Sequence, residues 1–157
     1  MNKSVDWLSD SHITIVGLGL MGGSLAMALQ GKCAGITAVE IDSHTRRMGL
    51  ERGLVEHATE SLVDGLKYAD VLILATPVRT ILETLMELNE LSEDPDKTVL
   101  VLDLGSTKTE VTSAMTLLPN NLTGIGGHPM CGKETGGLEH ADASLYQNAV
   151  FVLTPTN

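Results

Sequence analysis

The sequence predicts an α/β domain with a doubly wound, mostly parallel sheet of six strands in the order 3-2-1-4-5-6. Two observations carry the prediction. Short apolar runs rich in Val, Ile and Leu alternate with stretches of helical spacing, and the first such run stops at glycines that open a helix. Aromatic residues make up only 3% of a chain that is 43% hydrophobic, so the interior must be packed with aliphatic side chains, as in sheets buried on both faces. A length of 157 residues suits one domain, spanning 1–157.

Ile13 to Val16 is a β-branched strand, and Leu20 to Gln30 reads as an apolar helix. Ile36 to Ile41 is the next strand, after which Ser43 can cap a helix running through Arg46, Arg47 and Leu50. Val71 to Ala75 is a continuous apolar strand. Thr76 and Pro77 then suit the cap and first position of a helix that continues from Ile81 to Leu91. A polar loop, Ser92 to Lys97, leads to the strand Val99 to Leu102, and Thr107-Lys108-Thr109-Glu110 has the form of a capping box for a helix ending near Leu117. Leu122 to Ile125 and Ala149 to Leu153 complete the six strands; between them lie a glycine-rich stretch, Gly126 to Gly137, and a short helix near Leu138 to Leu145. Ligands are expected at the carboxyl ends of strands 1 and 4.

The formal charge of −10, from 20 acidic and 10 basic residues, repels phosphate backbones and anionic lipid, which argues against nucleic acid as a partner. No apolar run approaches the roughly 20 residues that span a bilayer, so no membrane role is expected. Cys33 and Cys131 form neither a metal pattern nor a disulfide framework, and no signal-like leader precedes the first strand; a cytoplasmic location fits. No cluster of metal ligands stands out, and none is expected.

Gly17-Leu18-Gly19-Leu20-Met21-Gly22 follows the first strand directly and opens the first helix, the context a dinucleotide-binding fingerprint requires, so the domain reads as Rossmann-type. No Lys or Arg occurs between Gly17 and Gly31, so backbone amides at the helix start must supply the attraction for a pyrophosphate. Asp42 ends the second strand, twenty residues beyond Gly22, where a carboxylate would accept hydrogen bonds from the adenosine ribose. That points to NAD. A 2′-phosphate would be repelled there, although Ser43, Arg46 and Arg47 are near enough to keep NADP as a disfavoured alternative. Ala75, Thr76 and Pro77 border the same cleft.

Across that cleft, Asp103-Leu104-Gly105-Ser106-Thr107-Lys108 leaves one strand and Gly126-Gly127-His128-Pro129-Met130 leaves the next. Hydride transfer from an alcohol carbon needs a group to take the hydroxyl proton, and an imidazole with a pKa near ~6.5 suits the task, which makes His128 the candidate base. A structural histidine before a rigid proline is the alternative. Ser106 is either functional or simply the residue before a helix cap. His12, His44, His57 and His140 sit in no motif and read as surface or linker.

These segments, with Gly17 to Ser24, Ala75-Thr76-Pro77, Gly132 to Gly136 and Leu153-Thr154-Pro155, resemble the N-terminal nucleotide-binding domain of prephenate and arogenate dehydrogenases. The resemblance implies NAD-dependent oxidative decarboxylation of prephenate to 4-hydroxyphenylpyruvate, or of arogenate, in tyrosine biosynthesis. It implies that His128 assists deprotonation of the ring hydroxyl, that Ser106 positions the hydroxyl or the imidazole, and that Glu134 lies near the mouth of the site. Lys133 departs from the family's pattern; it either offers a cation to a substrate carboxylate or lies in solvent.

The resemblance also implies a C-terminal helical domain, absent from these residues, that closes the substrate pocket and makes a homodimer. The 157 residues alone are expected to bind NAD with little turnover. Two other readings stay open: another two-domain dehydrogenase, such as one acting on β-hydroxyacids, and a non-catalytic dinucleotide-sensing module.

Overall fold

The structure, a computed structural model, describes residues 6–91, 94 and 96–156. A short helix α1 (Trp7–Asp10) precedes β1 (His12–Val16), α2 (Leu20–Leu29), β2 (Gly35–Val39), α3 (Ser43–Glu51), β3 (His57–Thr59), α4 (Leu62–Leu66) and β4 (Val71–Leu74). There follow α5 (Val78–Asn89), β5 (Val99–Asp103), α6 (Thr109–Met115), β6 (Leu122–Pro129) and β7 (Phe151–Pro155). The loop expected over Ser92 to Lys97 lies partly outside the described residues.

The strands form one sheet in the order β3-β2-β1-β4-β5-β6-β7, all parallel except β7, which runs antiparallel to β6. The first six strands therefore have the predicted order 3-2-1-4-5-6, but the sheet has seven strands, not six. The additional one is β3, whose three residues His57, Ala58 and Thr59 carry no alternation or apolar run by which to recognise it. It takes the outer place, and Val71–Leu74, third among the predicted strands, pairs instead with β1.

Residues of the central strands alternate between two cores. Val16, Leu72, Leu74, Val99 and Val101 face Ile81, Leu85 and Leu88 of α5 and Val111 of α6. Ile13, Ile15, Val71 and Ile73 face Ala26 of α2 and, on the same side, Leu18 and Leu138. Both faces are covered, which is why the strands read as unbroken aliphatic runs. Among the described residues no helix is long and apolar enough to cross a membrane.

Five local differences matter for the site. β6 continues to Pro129, so Gly126, Gly127 and His128 lie in a strand rather than a loop; pairing of Gly126, Gly127 and His128 with Thr154, Leu153 and Val152 keeps them extended. The predicted helix near Leu138 to Leu145 shrinks to one 3-10 turn, Leu138–His140, because the Asp142 carboxylate accepts hydrogen bonds from the backbone N–H and hydroxyl of Ser144 and diverts the chain into a local turn. The cap of α3 is Asp42, not Ser43: its carboxylate accepts the Thr45 N–H at 2.7 Å, and Ser43 is the first helical residue. α6 opens at Thr109 with no side-chain cap, so the proposed capping box at Thr107 does not form. Its Lys108 is drawn elsewhere, as described below. Pro77, not Thr76, stands at the cap position of α5.

Candidate active site

Parallel pairing sends the loops after β1, β2, β4 and β5 to one edge of the sheet, and His128 arrives at that edge because β6 runs parallel to β5 and continues past the last paired residues, Leu102 and Ile125. The structure thus places Gly17–Gly22 and Ala75–Pro77 where strand order reverses, between β1 and β4, with Ser106 after β5 and His128 in β6 farther along the same edge. This is where open α/β sheets hold ligands. The strand that flanks this point is Val71–Leu74, which is strand 4 of the observed sheet.

The glycine turn is built for close approach. Gly17 has φ +90°, and a Cβ there would stand 2.6 Å from Cγ2 of Thr76. A Cβ on Gly22 would meet the Gly17 carbonyl oxygen at 1.9 Å, so α2 lies against the end of β1 only because that side chain is missing. At Gly19 a Cβ would enter open space. No side chain caps α2 and no acidic residue occupies its first turn, so the amides there face that space without a protein partner from a cap. These features suit the pyrophosphate of a dinucleotide. Leu18 contributes differently: its side chain is fully buried and its N–H donates to Oε2 of Glu40 at 2.8 Å. Leu20 and Met21 occupy the first turn of α2.

Beside the turn lies a cleft of about 350 Å³ whose lining includes Gly17, Val39, Glu40, Glu60 and Thr76. Thr76 Oγ1 is buried there with no hydrogen-bond partner, an orphan that a ligand could satisfy. Glu40, Glu60, Glu83 and Glu87 line this cleft and Asp42 does not; of these, Glu40 stands at the end of β2. The Asp42 carboxylate is held by the Thr45 N–H, which keeps it below the usual carboxylate range, while Glu40 also accepts the Asp42 N–H at 3.0 Å. Counting twenty residues from the last glycine leads to Asp42, which caps α3, whereas β2 ends at Val39 and Glu40 is the first residue past the strand. Ser43 is exposed at the start of α3.

Of the two arginines considered for a 2′-phosphate, Arg46 is held by local acceptors and Arg47 stays largely exposed. Arg46 donates to the carbonyl oxygens of Glu40 at 2.5 Å and Ile41 at 2.8 Å and to the Glu60 carboxylate at 3.3 Å. Arg47 faces His44 and Glu51.

Farther along the same edge of the sheet, His128 is half-buried and Ser106 is exposed on the arc between β5 and α6. Between them stands a feature the sequence reading passed over. Asp103, fully buried, accepts N–H bonds from Gly105 at 2.9 Å and Gly127 at 3.1 Å and pairs with the Lys108 ammonium, which also donates to the Gly127 carbonyl at 2.6 Å. Asp103 and Lys108 bound the segment that leaves β5, but an aspartate at a strand end gives no sequence sign of burial.

Lys133 is engaged within its own loop, donating to the His140 carbonyl and the Asp142 carboxylate, each at 3.1 Å. With the two bonds from Ser144, this holds the Asp142 pKa at about 2. Glu134 is exposed. The loop from Met130 to Val150 straps across the start of α2: Tyr146 Oη donates to the Met21 carbonyl at 2.9 Å, the Asp142 N–H donates to the buried Ser24 hydroxyl at 2.9 Å, and Leu138 fills the space beside Gly23. Burial pushes the Tyr146 phenol and the Cys131 thiol upward, which disfavours the Cys131 thiolate. His44, His57 and His140 are exposed as expected, but His12 is half-buried, with Nε2 unpartnered and its ring against Gly35. Among the described residues no group of His, Cys, Asp or Glu converges as a metal site.

Comparison with known proteins agrees with this geometry. The chain is 36% identical over 147 residues to the prephenate dehydrogenase of Bacillus subtilis (strain 168), an alignment covering 91% of the chain and 39% of that protein. The crystal structure of prephenate dehydrogenase from A. aeolicus in complex with hydroxyphenyl propionate and NAD+ superposes with a TM-score of 0.82 at 33% identity, covering 96% of this chain and 52% of that one. Synechocystis arogenate dehydrogenase gives a TM-score of 0.82 at 37% identity, covering 93% and 50%. The chain therefore spans between two fifths and about half the length of these relatives. Residues 25–157 match the family described as prephenate dehydrogenase, nucleotide-binding domain, and the chain belongs to that family.

Proposed function

We propose that the chain is the cofactor-binding half of an NAD-dependent dehydrogenase that oxidatively decarboxylates prephenate or arogenate in tyrosine biosynthesis. The observation that carries the reading is the presence of His128 and the Gly17–Gly22 turn on one edge of one sheet, in a chain of this family. Bound NAD accepts a hydride. The amides at the start of α2 hold its pyrophosphate, Glu40 accepts from the adenosine ribose, and Thr76 borders the path between them and the reacting end. His128 takes the proton of the substrate's ring hydroxyl as the hydride leaves the same carbon, and loss of carbon dioxide leaves an aromatic ring. Ser106 orients the hydroxyl or the imidazole, and Glu134 stands near the mouth.

The half that the relatives carry beyond the matched segment completes the substrate pocket and makes a homodimer, and the enzyme works in the cytoplasm with Cys33 and Cys131 as free thiols. On this reading the 157-residue chain binds NAD but turns over little, because half the groups that place the substrate are elsewhere. Calorimetry of the chain with NAD and NADP tests the first part. Assay of the chain joined to a relative-length second half, with prephenate and with arogenate, tests the second; binding of neither cofactor, or NAD reduction with neither substrate, overturns the reading.

Cofactor choice gives a sharper test. Glu40→Gln removes the charge from a hydrogen-bonding carboxylate, an effect of about 1.5–3 kcal/mol, so NAD affinity is expected to fall roughly ten- to a hundredfold and the NAD to NADP ratio to narrow. Asp42→Ser keeps a capping side chain and is expected to leave the ratio unchanged. Calorimetric titration of both variants decides between the two carboxylates.

A further inference from the structure

The pairing of β5 with β6 stops at Leu102 and Ile125, yet the two chains stay together for two more residues. Side chains replace the ladder there. Oδ1 of Asp103 takes the Gly127 N–H and Lys108 Nζ takes the Gly127 carbonyl, so both backbone polar groups of the residue before His128 are held by one ion pair. Oδ2 of the same carboxylate takes the Gly105 N–H and the Lys108 ammonium, the two ends of the arc that carries Ser106. The approach is as close as glycine permits: a Cβ at Gly127 would stand 2.6 Å from the Asp103 carbonyl oxygen.

We propose that Asp103 is a positioning residue that sets the placement of His128 relative to Ser106. It touches neither substrate nor cofactor. Its carboxylate is fully buried and the Lys108 side chain is only 16% exposed, an arrangement that is costly to desolvate and adds little net stability compared with apolar residues of the same volume. What it supplies is geometry: one anion accepting three directed bonds, with a fourth from its Lys108 partner to the Gly127 carbonyl, ties the arc and the strand to a common point, leaving neither free to drift. The inference rests on the dehydrogenase reading for its catalytic meaning, but the placement of His128 can be measured without turnover.

The test has two arms. In the 157-residue chain, the imidazole carbon and proton resonances of His128 are recorded for the parent, Asp103→Asn, and a double variant, Asp103→Leu with Lys108→Met, which removes both charges and avoids leaving an ammonium buried alone. Both variants are expected to shift and broaden the His128 signals while the other four histidines keep theirs, and NAD affinity is expected to stay within about twofold, since the cradle at Gly17–Gly22 is untouched. In the relative-length protein, kcat is expected to fall about 10²-fold in both variants with a smaller change in KM, and the double variant is expected to regain melting temperature without regaining rate. Unchanged His128 signals in the folded double variant overturn the inference. So does a rate that recovers together with the melting temperature. Absence of turnover in the parent protein, with His128 signals displaced in the variants, defeats the dehydrogenase reading alone.

Discussion

His128→Asn in the relative-length protein is expected to lower turnover by about 10²- to 10⁴-fold, the usual worth of a positioned general base, while NAD affinity stays nearly unchanged. Asparagine keeps much of the polarity and size but cannot take a proton at neutral pH. The separation of the two effects follows from the fold, because His128 is carried by β6, three strands along from β1 and its glycine turn, with β4 and β5 between. Steady-state rates with prephenate and arogenate, alongside calorimetry with NAD, measure both quantities. A variant with parent-like turnover would remove the imidazole from the chemistry and favour a structural role before Pro129.

Gly22→Ala should do the reverse, abolishing most cofactor affinity without touching a reacting group. The added Cβ would meet the Gly17 carbonyl oxygen at 1.9 Å and the Ile15 side chain at 3.0 Å, both parts of the central strand and its turn, so α2 must move away. Overpacking of this kind costs about 1–3 kcal/mol, and if it falls mainly on the cradle it amounts to roughly a hundredfold in NAD affinity. Gly19→Ala supplies the contrast. Its Cβ meets no protein atom, so the fold is unaffected and any loss of NAD affinity reports a ligand above that position. Calorimetry and thermal melts of both variants check the pair; NAD affinity in Gly22→Ala equal to the parent's would rule out the turn as the pyrophosphate site.

The strands that pack the centre of the sheet were readable because burial on both faces leaves an unmistakable aliphatic run, as in Val71–Leu74. β3 was not readable: a three-residue edge strand with an exposed histidine answers to pairing with β2, not to any local pattern. The glycine turn and His128 could be found from residue type and context. Asp42 and Glu40 could not be told apart from sequence because both carboxylates lie at the strand end, and only the direction of each side chain separates a helix cap from a cleft wall. The Lys133 ion pair was not readable for a similar reason, since its partner Asp142 is brought opposite by a turn nine residues on. The Asp103 and Lys108 pair depends on where β5 ends relative to β6, which is a tertiary fact.

The outer strand β7 pairs on one side only and bears Phe151, Val152 and Leu153 exposed at 40%, 44% and 56%, with Val150 and Met130 bare beside it. A row of open amides and carbonyls flanked by oily side chains is a template on which another copy can zip, and it carries none of the lysines or prolines that blunt such rims until Pro155. Colloidal behaviour should follow from that single rim: sedimentation of the 157-residue chain should drift toward larger species as concentration rises, and Val152→Lys should hold it monodisperse.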